Sequence, residues 1–307
     1  MKLAFLEWKA RNTMNFLLAL CSATAHSMNS AATRTYQTKI QRSPADFRLY
    51  QVIAALMVSF LNFASGGFVL RLDPLGLFLA VCYGVDMAAT GILTATCFAC
   101  GPMSLTSVIT NACVVLPIAV GCLWYDEVMT GPQIVGCVLL AATFVLSAVN
   151  PQKKAANNAI PAKWYLLVFF AFFCNGVGAV LLNIYGRVAA AGQRSSYLAL
   201  GYAIAAVLYF CSHRWLVHKH GPVQIKALVR PLLLLVIAMG GFGGFIGNSI
   251  LMSLNTAMPA SLLYPLVNGG IAVIVAIMSC VIFKEKLTLQ RALTILVGLA
   301  AIVTLNL

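Results

Sequence analysis

The stretch that decides the fold is Ala257-Met-Pro-Ala-Ser-Leu-Leu-Tyr-Pro-Leu-Val-Asn-Gly-Gly270, followed by an apolar run and by Phe283-Lys-Glu-Lys-Leu-Thr-Leu-Gln290. An earlier segment of the chain repeats its marker residues. At an offset of 157 positions, the pairs are Pro102 with Pro259, Ser104 with Ser261 and Asn111 with Asn268. At an offset of 158 positions, Glu127 matches Glu285 and Thr130 matches Thr288. The matches fall at the same points of two segments with the same hydropathy, so the chain consists of two related halves.

The composition indicates a membrane protein. The chain is 61% hydrophobic and only 9% charged, with a mean hydropathy of +0.92, whereas about a quarter of the residues in soluble domains are charged. The apolar runs are continuous, as in membrane helices, and do not alternate as in barrel strands. The 20 Lys and Arg residues lie almost wholly between these runs. This placement argues against a nucleic-acid-binding face, which needs clustered basic residues.

Hydropathy predicts ten membrane-spanning helices, each long enough to cross roughly 30 Å of hydrocarbon. The predicted spans are 13–33, 46–66, 75–97, 103–124, 131–149, 164–185, 195–217, 232–254, 260–283 and 287–306. A polar linker over 151–163 separates the first half, 1–150, from the second, 164–307. An odd number of crossings per half inserts the second half upside down relative to the first. The sequence therefore predicts an all-α integral membrane fold of two inverted five-helix repeats, an arrangement typical of secondary transporters.

The basic residues between the predicted spans also predict an orientation. One side of the membrane receives six of them: Lys2, Lys9, Arg11, Arg71, Arg187 and Arg194. The other side receives fourteen: Arg34, Lys39, Arg42, Arg48, Lys153, Lys154, Lys163, Arg214, Lys219, Lys226, Arg230, Lys284, Lys286 and Arg291. The positive-inside rule then places both termini outside the cytoplasm.

The chain resembles the drug/metabolite transporter superfamily, specifically transporters of the EamA type. The residues that carry the resemblance are Pro259 to Gly270, Phe283 to Thr288 and the closing run Leu296-Val-Gly298-Leu-Ala-Ala-Ile, with a weaker echo in Pro102-Met-Ser104, Asn111, Pro117 and Trp124 to Thr130. The resemblance implies a ten-helix inverted repeat that moves a small metabolite by alternating access, often outward. It also implies cytoplasmic termini, contrary to the charge count, and it names no substrate.

Asp86 is the most informative candidate residue, because it lies midway along the third predicted helix. A carboxylate at that depth costs about 2.5–3.5 kcal/mol on insertion scales, so it usually faces a wet cavity or a partner. Tyr83, Asp86, Thr90 and Thr94 form one polar stripe at helical spacing. We expect Asp86 to couple transport to protons or to balance a cationic group of the substrate. The alternative is a structural carboxylate bonded to a neighbouring helix.

Other polar residues within spans are candidates for the substrate or proton site. His26 lies on a stripe with Ser22, Asn29 and Thr33 and is the nearest candidate partner of Asp86, although such a histidine is often structural. Amides in hydrocarbon need partners, which either the substrate or neighbouring helices supply. The candidate amides are Asn111, Asn175, Asn183, Asn248 and Asn268, and Tyr264 adjoins the last of them in sequence.

Glycine and proline residues are candidates for gating. The run from Gly240 to Gly247 predicts close helix packing, with a flexible gating point at Gly244 as the alternative. Pro117 and Pro265 each remove a backbone donor and should kink their helices. Cys97 and Cys100 stand without a second pair or a nearby histidine, so we expect no metal site and no cofactor.

These features predict a secondary transporter of a small metabolite in the plasma membrane, and the resemblance implies that it is an exporter. Alternatives within transport are flipping of a lipid-linked sugar and efflux of a lipophilic cation. An intramembrane enzyme would need paired catalytic groups at membrane depth, and only Asp86 and His26 are available. A non-transporting scaffold would not need polar residues at the middle of the membrane, such as those predicted here. The expected partners are the small-molecule substrate and membrane lipids, with no nucleic acid, and a homodimer is compatible with the sequence.

Overall fold

The structure is a computed structural model that describes residues 2–41, 43–100, 106, 109–148, 161–221, 231–281 and 289–305, with side chains from residue 12 onward except at 99, 147, 148, 191, 220, 276, 279, 280 and 291. The described residues form helices and no strand. The helices are α1 (Lys2–Thr35), α2 (Pro44–Ser65), α3 (Pro74–Cys100), α4 (Val115–Trp124), α5 (Gly131–Ala148), α6 (Ala162–Val188), α7 (Ala191–His220), α8 (Pro231–Leu254), α9 (Ala260–Val281) and α10 (Leu289–Leu305). A π-helical turn, Tyr36–Ile40, follows α1, and a 3₁₀ turn, Ala112–Val114, leads into α4.

The fold is that of an all-α membrane protein. Among the described residues, five helices are long and apolar enough to cross a membrane: α2, α3, α6, α7 and α8. Shorter apolar helices cover 109–124, 131–146, 260–275 and 292–305. Each predicted span therefore coincides with a helix over its described part. Lipid-facing surfaces are rich in exposed Leu, Val and Phe, as a hydrocarbon solvent requires.

Consecutive helices run up and down the bundle, which places the connections at two ends. At one end, Tyr185 at the end of α6 donates a hydrogen bond of 2.9 Å to Asp73, which precedes α3. At the opposite end, His213 of α7 lies 2.9 Å from the carbonyl of Ala45 in α2, and the ring nitrogen of Trp164 in α6 donates to Thr106. We call the first the Glu127 end, after the residue between α4 and α5 that lies there.

The helices pack in pairs that relate the two halves. The most extensive contacts join α2 with α7, α1 with α8, α5 with α10, α3 with α7 and α3 with α6. Contacts of α1 with α9, α2 with α8, α4 with α9 and α4 with α6 are also substantial. Exchanging each helix for the one five places away turns this set of pairs into itself, but the exchange is incomplete. Helix α9 also packs on α10, more extensively than on α4, whereas α4 makes no comparable contact with α5 in the described part. Helix α8 likewise contacts α6 and α7, whereas α3 makes no comparably extensive contact with α1 or α2 there.

Glycines of α8 allow its close approach to α1 and α2. A methyl group added at Gly243 would lie 2.5 Å from the carbonyl oxygen of Ala25 in α1, and one at Gly244 would lie 3.1 Å from Val58 in α2. The contact at Gly243 is with backbone, so a larger residue there would push α8 away from α1, whereas at Gly244 the Val58 side chain would have to shift by a few tenths of an ångström. The glycine run thus packs helices together, as its spacing predicted.

One residue of the charge count does not lie in a connection between helices. Arg48, counted as a loop charge, lies within α2 and is only 6% exposed. Its guanidinium donates to Gln51 and to the carbonyls of Gly91 and Ile92 in α3. Because its guanidinium is bonded within the bundle, Arg48 stabilises helix packing. It does not indicate which side of the membrane faces the cytoplasm. Removing Arg48 from the count leaves the charge asymmetry with the same sign.

Several sequence predictions lie outside the described residues. They concern the linker over 151–160 and the repeat markers Pro102, Ser104, Glu285 and Thr288.

Candidate functional site

Asp86 lies inside the helical bundle on the side of α3 that faces α6. A methyl group added at Gly178 of α6 would lie 2.5 Å from Oδ2 of Asp86, so the carboxylate occupies the space that the missing side chain leaves. Oδ2 is buried and has no hydrogen-bond partner among the described residues. An unsatisfied buried carboxylate oxygen is costly, and it marks this position as a candidate binding site.

Thr90 extends the same feature one turn further along α3. Its hydroxyl oxygen is also buried and without a hydrogen-bond partner in the described part of the chain. In membrane helices, threonine usually bonds to a carbonyl one turn back, as Thr96 does here to Ile92 at 2.7 Å. The Thr90 hydroxyl makes no such bond in the described part of the chain. Two neighbouring side chains of α3, Asp86 and Thr90, therefore each have a polar atom without a hydrogen-bond partner there.

Tyrosine rings surround the N-terminal side of Asp86. Tyr83, only 2% exposed, packs against Tyr197 and Tyr202 of α7 with ring centroids 5.4 and 6.1 Å away. Tyr209, also of α7, donates 2.8 Å to the carbonyl of Met87. Tyr197 is fully buried, and its hydroxyl has no hydrogen-bond partner among the described residues. The polar stripe predicted for α3 therefore faces an aromatic wall.

His26 does not pair with Asp86. The histidine ring lies against Gly247 of α8, where an added methyl group would be 2.8 Å from Nε2. Ser22, one turn earlier, donates 2.8 Å to the Gly247 carbonyl. The stripe of α1 thus faces the glycine run of α8, and the hypothesis of His26 as the partner of Asp86 is wrong in this structure.

Four of the five candidate amides, Asn183 among them, bond to protein groups. Asn175 donates 3.0 Å to the carbonyl of Thr110. Asn248 is buried and donates 2.9 Å both to the hydroxyl of Tyr202 and to the carbonyl of Gly244. Asn268 donates 2.9 Å to the carbonyl of Tyr264 in its own helix. Each of these amides therefore has a structural bond, and the Asn248 bond reaches Tyr202, whose ring packs against Tyr83 beside Asp86.

Helices α4 and α9 contribute the proline residues and two further candidates. Pro265 lies inside α9, and the adjacent Tyr264 hydroxyl donates 2.8 Å to the carbonyl of Ala179, the neighbour of Gly178 in α6. Pro117 follows the 3₁₀ turn that opens α4, and Asn111 immediately precedes that turn without capping it. Tyr264 is thus at the level of Asp86 along α6.

A second polar cluster, at the Glu127 end, escaped the sequence analysis, which used Glu127 only as a repeat marker. The Glu127 carboxylate accepts hydrogen bonds of 2.9 and 2.8 Å from the backbone N–H groups of Ala260 and Ser261, the first residues of α9. It also forms an ion pair with Arg187 of α6. The first half of the chain therefore holds the start of a helix in the second. The clue was that Glu127 lies in a short connection and recurs in the repeat.

The cluster continues from Arg187 to two buried amides. The guanidinium donates 3.2 Å to Asn183 and lies 4.0 Å above the ring of Tyr125. Asn183 in turn donates 2.8 Å to Asn255, which donates 3.3 Å to the carbonyl of Leu182. Amides, cation and carboxylate all have partners, so this cluster is a satisfied network.

Glu127 is held in its ionised form. Burial opposes its charge, but the hydrogen bonds from Ser261 and Ala260 and the contact with Arg187 outweigh that effect and keep the pKa of the Glu127 carboxyl below its usual value. A carboxylate at a helix N-terminus also interacts favourably with the helix dipole.

The described residues contain no group of three or more His, Cys, Asp or Glu side chains able to hold a metal ion. Cys100 donates instead to the carbonyl of Thr96 within α3.

Comparisons with known proteins define the fold only. No family model matches the chain, and no curated protein matches it. A solved structure described only as a crystal structure of a protein is similar, with a TM-score of 0.73 and 14% sequence identity over 95% of this chain and 96% of that chain. The whole helical architecture therefore has a precedent among solved structures.

Proposed function

We propose that the chain is a secondary transporter that moves a small metabolite by alternating access, with Asp86 as the proton- or substrate-binding group. The observation that carries this proposal is the buried, unpartnered carboxylate oxygen of Asp86, midway along α3 in an apolar helical bundle. A purely structural carboxylate would have found donors, as Glu127 has. Intramembrane acids that keep their lone pairs free are typical of ion and substrate pathways.

The packing pairs support the two-repeat architecture that the proposal needs. Most of the extensive helix contacts in one half have a counterpart between the helices five places away. Of the five pairs that this exchange maps onto themselves, α2–α7, α4–α9 and α5–α10 are in extensive contact, whereas α1–α6 and α3–α8 are not in the described part. Five crossings per half would relate the halves by a two-fold axis in the membrane plane. The candidate site, between α3, α6, α7 and α9, would then lie at the interface of the repeats.

The Glu127 cluster supplies a closed end for alternating access. It links the α4–α5 connection, the end of α6 and the start of α9. Opening this end would break the ion pair and uncap α9. We propose that the cluster is the gate at this end, with the prolines of α4 and α9 and the Gly244 packing as the points where the helices bend.

The resemblance to EamA-type transporters agrees with this reading and remains a proposal, as do the plasma-membrane location and the direction of transport. No observed feature favours the lipid-flipping alternative.

The experiment is a flux assay in proteoliposomes that enclose a pH-sensitive dye. A panel of metabolites is added under an imposed pH gradient, and compounds that move protons are retained. Asp86→Asn should abolish pH-driven flux while the variant still incorporates into the vesicles. The matched control is Asp126→Asn: Asp126 is exposed and has a left-handed backbone with φ of 51°, which asparagine tolerates. Unchanged flux in Asp86→Asn would assign Asp86 a structural role.

A further inference from the structure

Three unpartnered polar atoms lie in one region of the bundle. They are Oδ2 of Asp86, Oγ1 of Thr90 and the hydroxyl of Tyr197, each buried and without a hydrogen-bond partner in the described part of the chain. Few buried polar side-chain atoms of native proteins are left unsatisfied. Three in one neighbourhood indicate a site whose partner is a ligand.

Helix geometry and ring contacts bring the three groups together. Asp86 and Thr90 are four residues apart on a helix, so their side chains are neighbours. The hydroxyl of Tyr197 interacts electrostatically with the Asp86 carboxylate, and its ring packs 5.4 Å from that of Tyr83, one turn before Asp86. Two elements, α3 and α7, therefore bring these groups into one region of the bundle interior.

The charge balance of this space indicates the ligand's chemistry. The titratable groups that interact with Asp86 are uncharged thiols and phenols from α3, α4, α6 and α7: Tyr83, Cys113, Cys174, Tyr197 and Tyr209. The buried cation Arg48 uses its terminal nitrogens for Gln51 and for the carbonyls of Gly91 and Ile92 in α3, and its Nε has no hydrogen-bond partner in the described part of the chain. None of its hydrogen bonds goes to Asp86, so this carboxylate is without a paired cation among the described residues, and its charge favours a cationic donor as the missing partner.

We propose that Asp86, Thr90 and Tyr197 bind the ammonium group of an amine-bearing substrate. An ammonium carries three N–H donors, and the site offers three unpaired oxygens that can accept them. A charge-assisted bond to Asp86 would be the strongest of the three. The inference rests on the proposed function in taking this site as the substrate site, and it names the substrate class.

Binding is tested with four ligands that share one skeleton: phenethylamine, phenethyl alcohol, phenylacetate and trimethyl(phenethyl)ammonium. The purified full chain is held in detergent and its thermal unfolding is followed with increasing ligand, because a ligand that binds the folded state raises the Tm. Phenethylamine should raise the Tm, and the alcohol and the acid should not. The quaternary compound should bind more weakly, because it keeps the charge but has no N–H donor.

Variants assign the effect to the site. Asp86→Asn should remove the phenethylamine response, and Thr90→Val and Tyr197→Phe should each weaken binding by about tenfold, the loss expected for one hydrogen bond. The controls are Asp126→Asn and Thr24→Val, since Thr24 is exposed and bonds to its own helix at 2.9 Å. Unfolding curves without ligand verify that each variant is folded.

The outcomes separate this inference from the proposed function. Phenylacetate binding as tightly as phenethylamine, or phenethylamine binding unchanged in Asp86→Asn, would overturn the ammonium site. Asp86-dependent proton flux driven by compounds without an amine would also overturn it, while leaving the transporter intact. Amine binding at Asp86 with no flux for any compound would instead retain the site and remove the transport proposal.

Discussion

Two carboxylates of this protein are found in opposite situations. Glu127, at one end of the bundle, accepts two backbone hydrogen bonds and pairs with Arg187. Asp86, deep within α3, has a buried oxygen with no partner among the described residues. Both are acidic residues that are at least half-buried, in a chain that is only 9% charged. Because the two side chains carry the same group, the difference between them lies in their hydrogen-bond partners.

The contrast separates stability from binding. A satisfied network contributes to the folded state and is costly to break, whereas an unsatisfied buried group lowers stability unless a ligand completes it. We therefore expect Glu127 and Asp86 variants to affect different measurements.

Replacing Glu127 by alanine should destabilise the protein by about 3 kcal/mol. This is the upper end of the range for a hydrogen bond to a charged group and the lower end of the range for a broken buried ion pair. The change uncaps α9 and leaves Arg187 without its carboxylate. Thermal or denaturant unfolding in detergent measures the loss, with the exposed Asp126→Asn variant as control. Equal stability of the two variants would show that the Glu127 cluster contributes nothing.

Acid should weaken the same cluster. Because the pKa of the Glu127 carboxyl lies below its usual value in the folded state, its stabilising effect is fully present above the unfolded value of about 4.3 and is lost as the pH falls through the lower folded value. The difference in Tm between wild type and Glu127→Gln should be constant near neutral pH and shrink below about pH 4. A difference that stayed constant down to the acid limit would contradict the assignment.

Gly178→Ala should destabilise the bundle by about 1 kcal/mol. The new methyl group would lie 2.5 Å from Oδ2 of Asp86, and such overpacking costs about 1–3 kcal/mol, partly offset by the better helix propensity of alanine. Gly131→Ala is the matched control, because a methyl group there meets nothing within 4 Å. Stability should fall only for Gly178→Ala; a gain in both would mean that α3 and α6 are not closely packed.

The fold was largely predictable from the sequence, and the reason is physical. A bilayer fixes the length and apolarity of each crossing, so a hydropathy window finds α2 or α8 without knowledge of what they contact. The π-helical turn after α1 and the 3₁₀ turn before α4 depend on local packing and capping, which a window of hydropathy does not contain.

The site was predictable only in part. The rarity of an acid at membrane depth selected Asp86, whatever its neighbours. Partner choice depends on which helices touch: His26 faces Gly247 of α8, since α1 packs on α8 and not on α3. The position of Glu127 near α9 likewise requires the tertiary arrangement. An amide such as Asn175 can bind either a substrate or a backbone carbonyl. The sequence alone does not show which of the two lies within reach.

Tyr125→Leu should lower the free energy of unfolding by about 0.5–1 kcal/mol, which is the usual contribution of a cation–π contact that is not fully buried. The Arg187 guanidinium lies 4.0 Å from the ring centroid, so removal of the ring affects the cation while the Glu127 bonds persist. Tyr125→Phe keeps the ring and should retain wild-type stability in the same unfolding assay. A loss as large in Tyr125→Phe would assign the effect to the hydroxyl.

Asp86→Asn should change stability least, by less than about 0.5 kcal/mol, or should stabilise the protein slightly. Burying a lone carboxylate is costly, and an amide of nearly the same shape carries no charge and loses no hydrogen bond of Oδ2, because that atom has none in the described part of the chain. The measurement is the same unfolding assay without ligand. A destabilisation comparable to that of Glu127→Ala would mean that Asp86 is bonded within the protein. Its lone pairs would then not be available to a proton or an amine, and the contrast between the two carboxylates would not separate stability from binding.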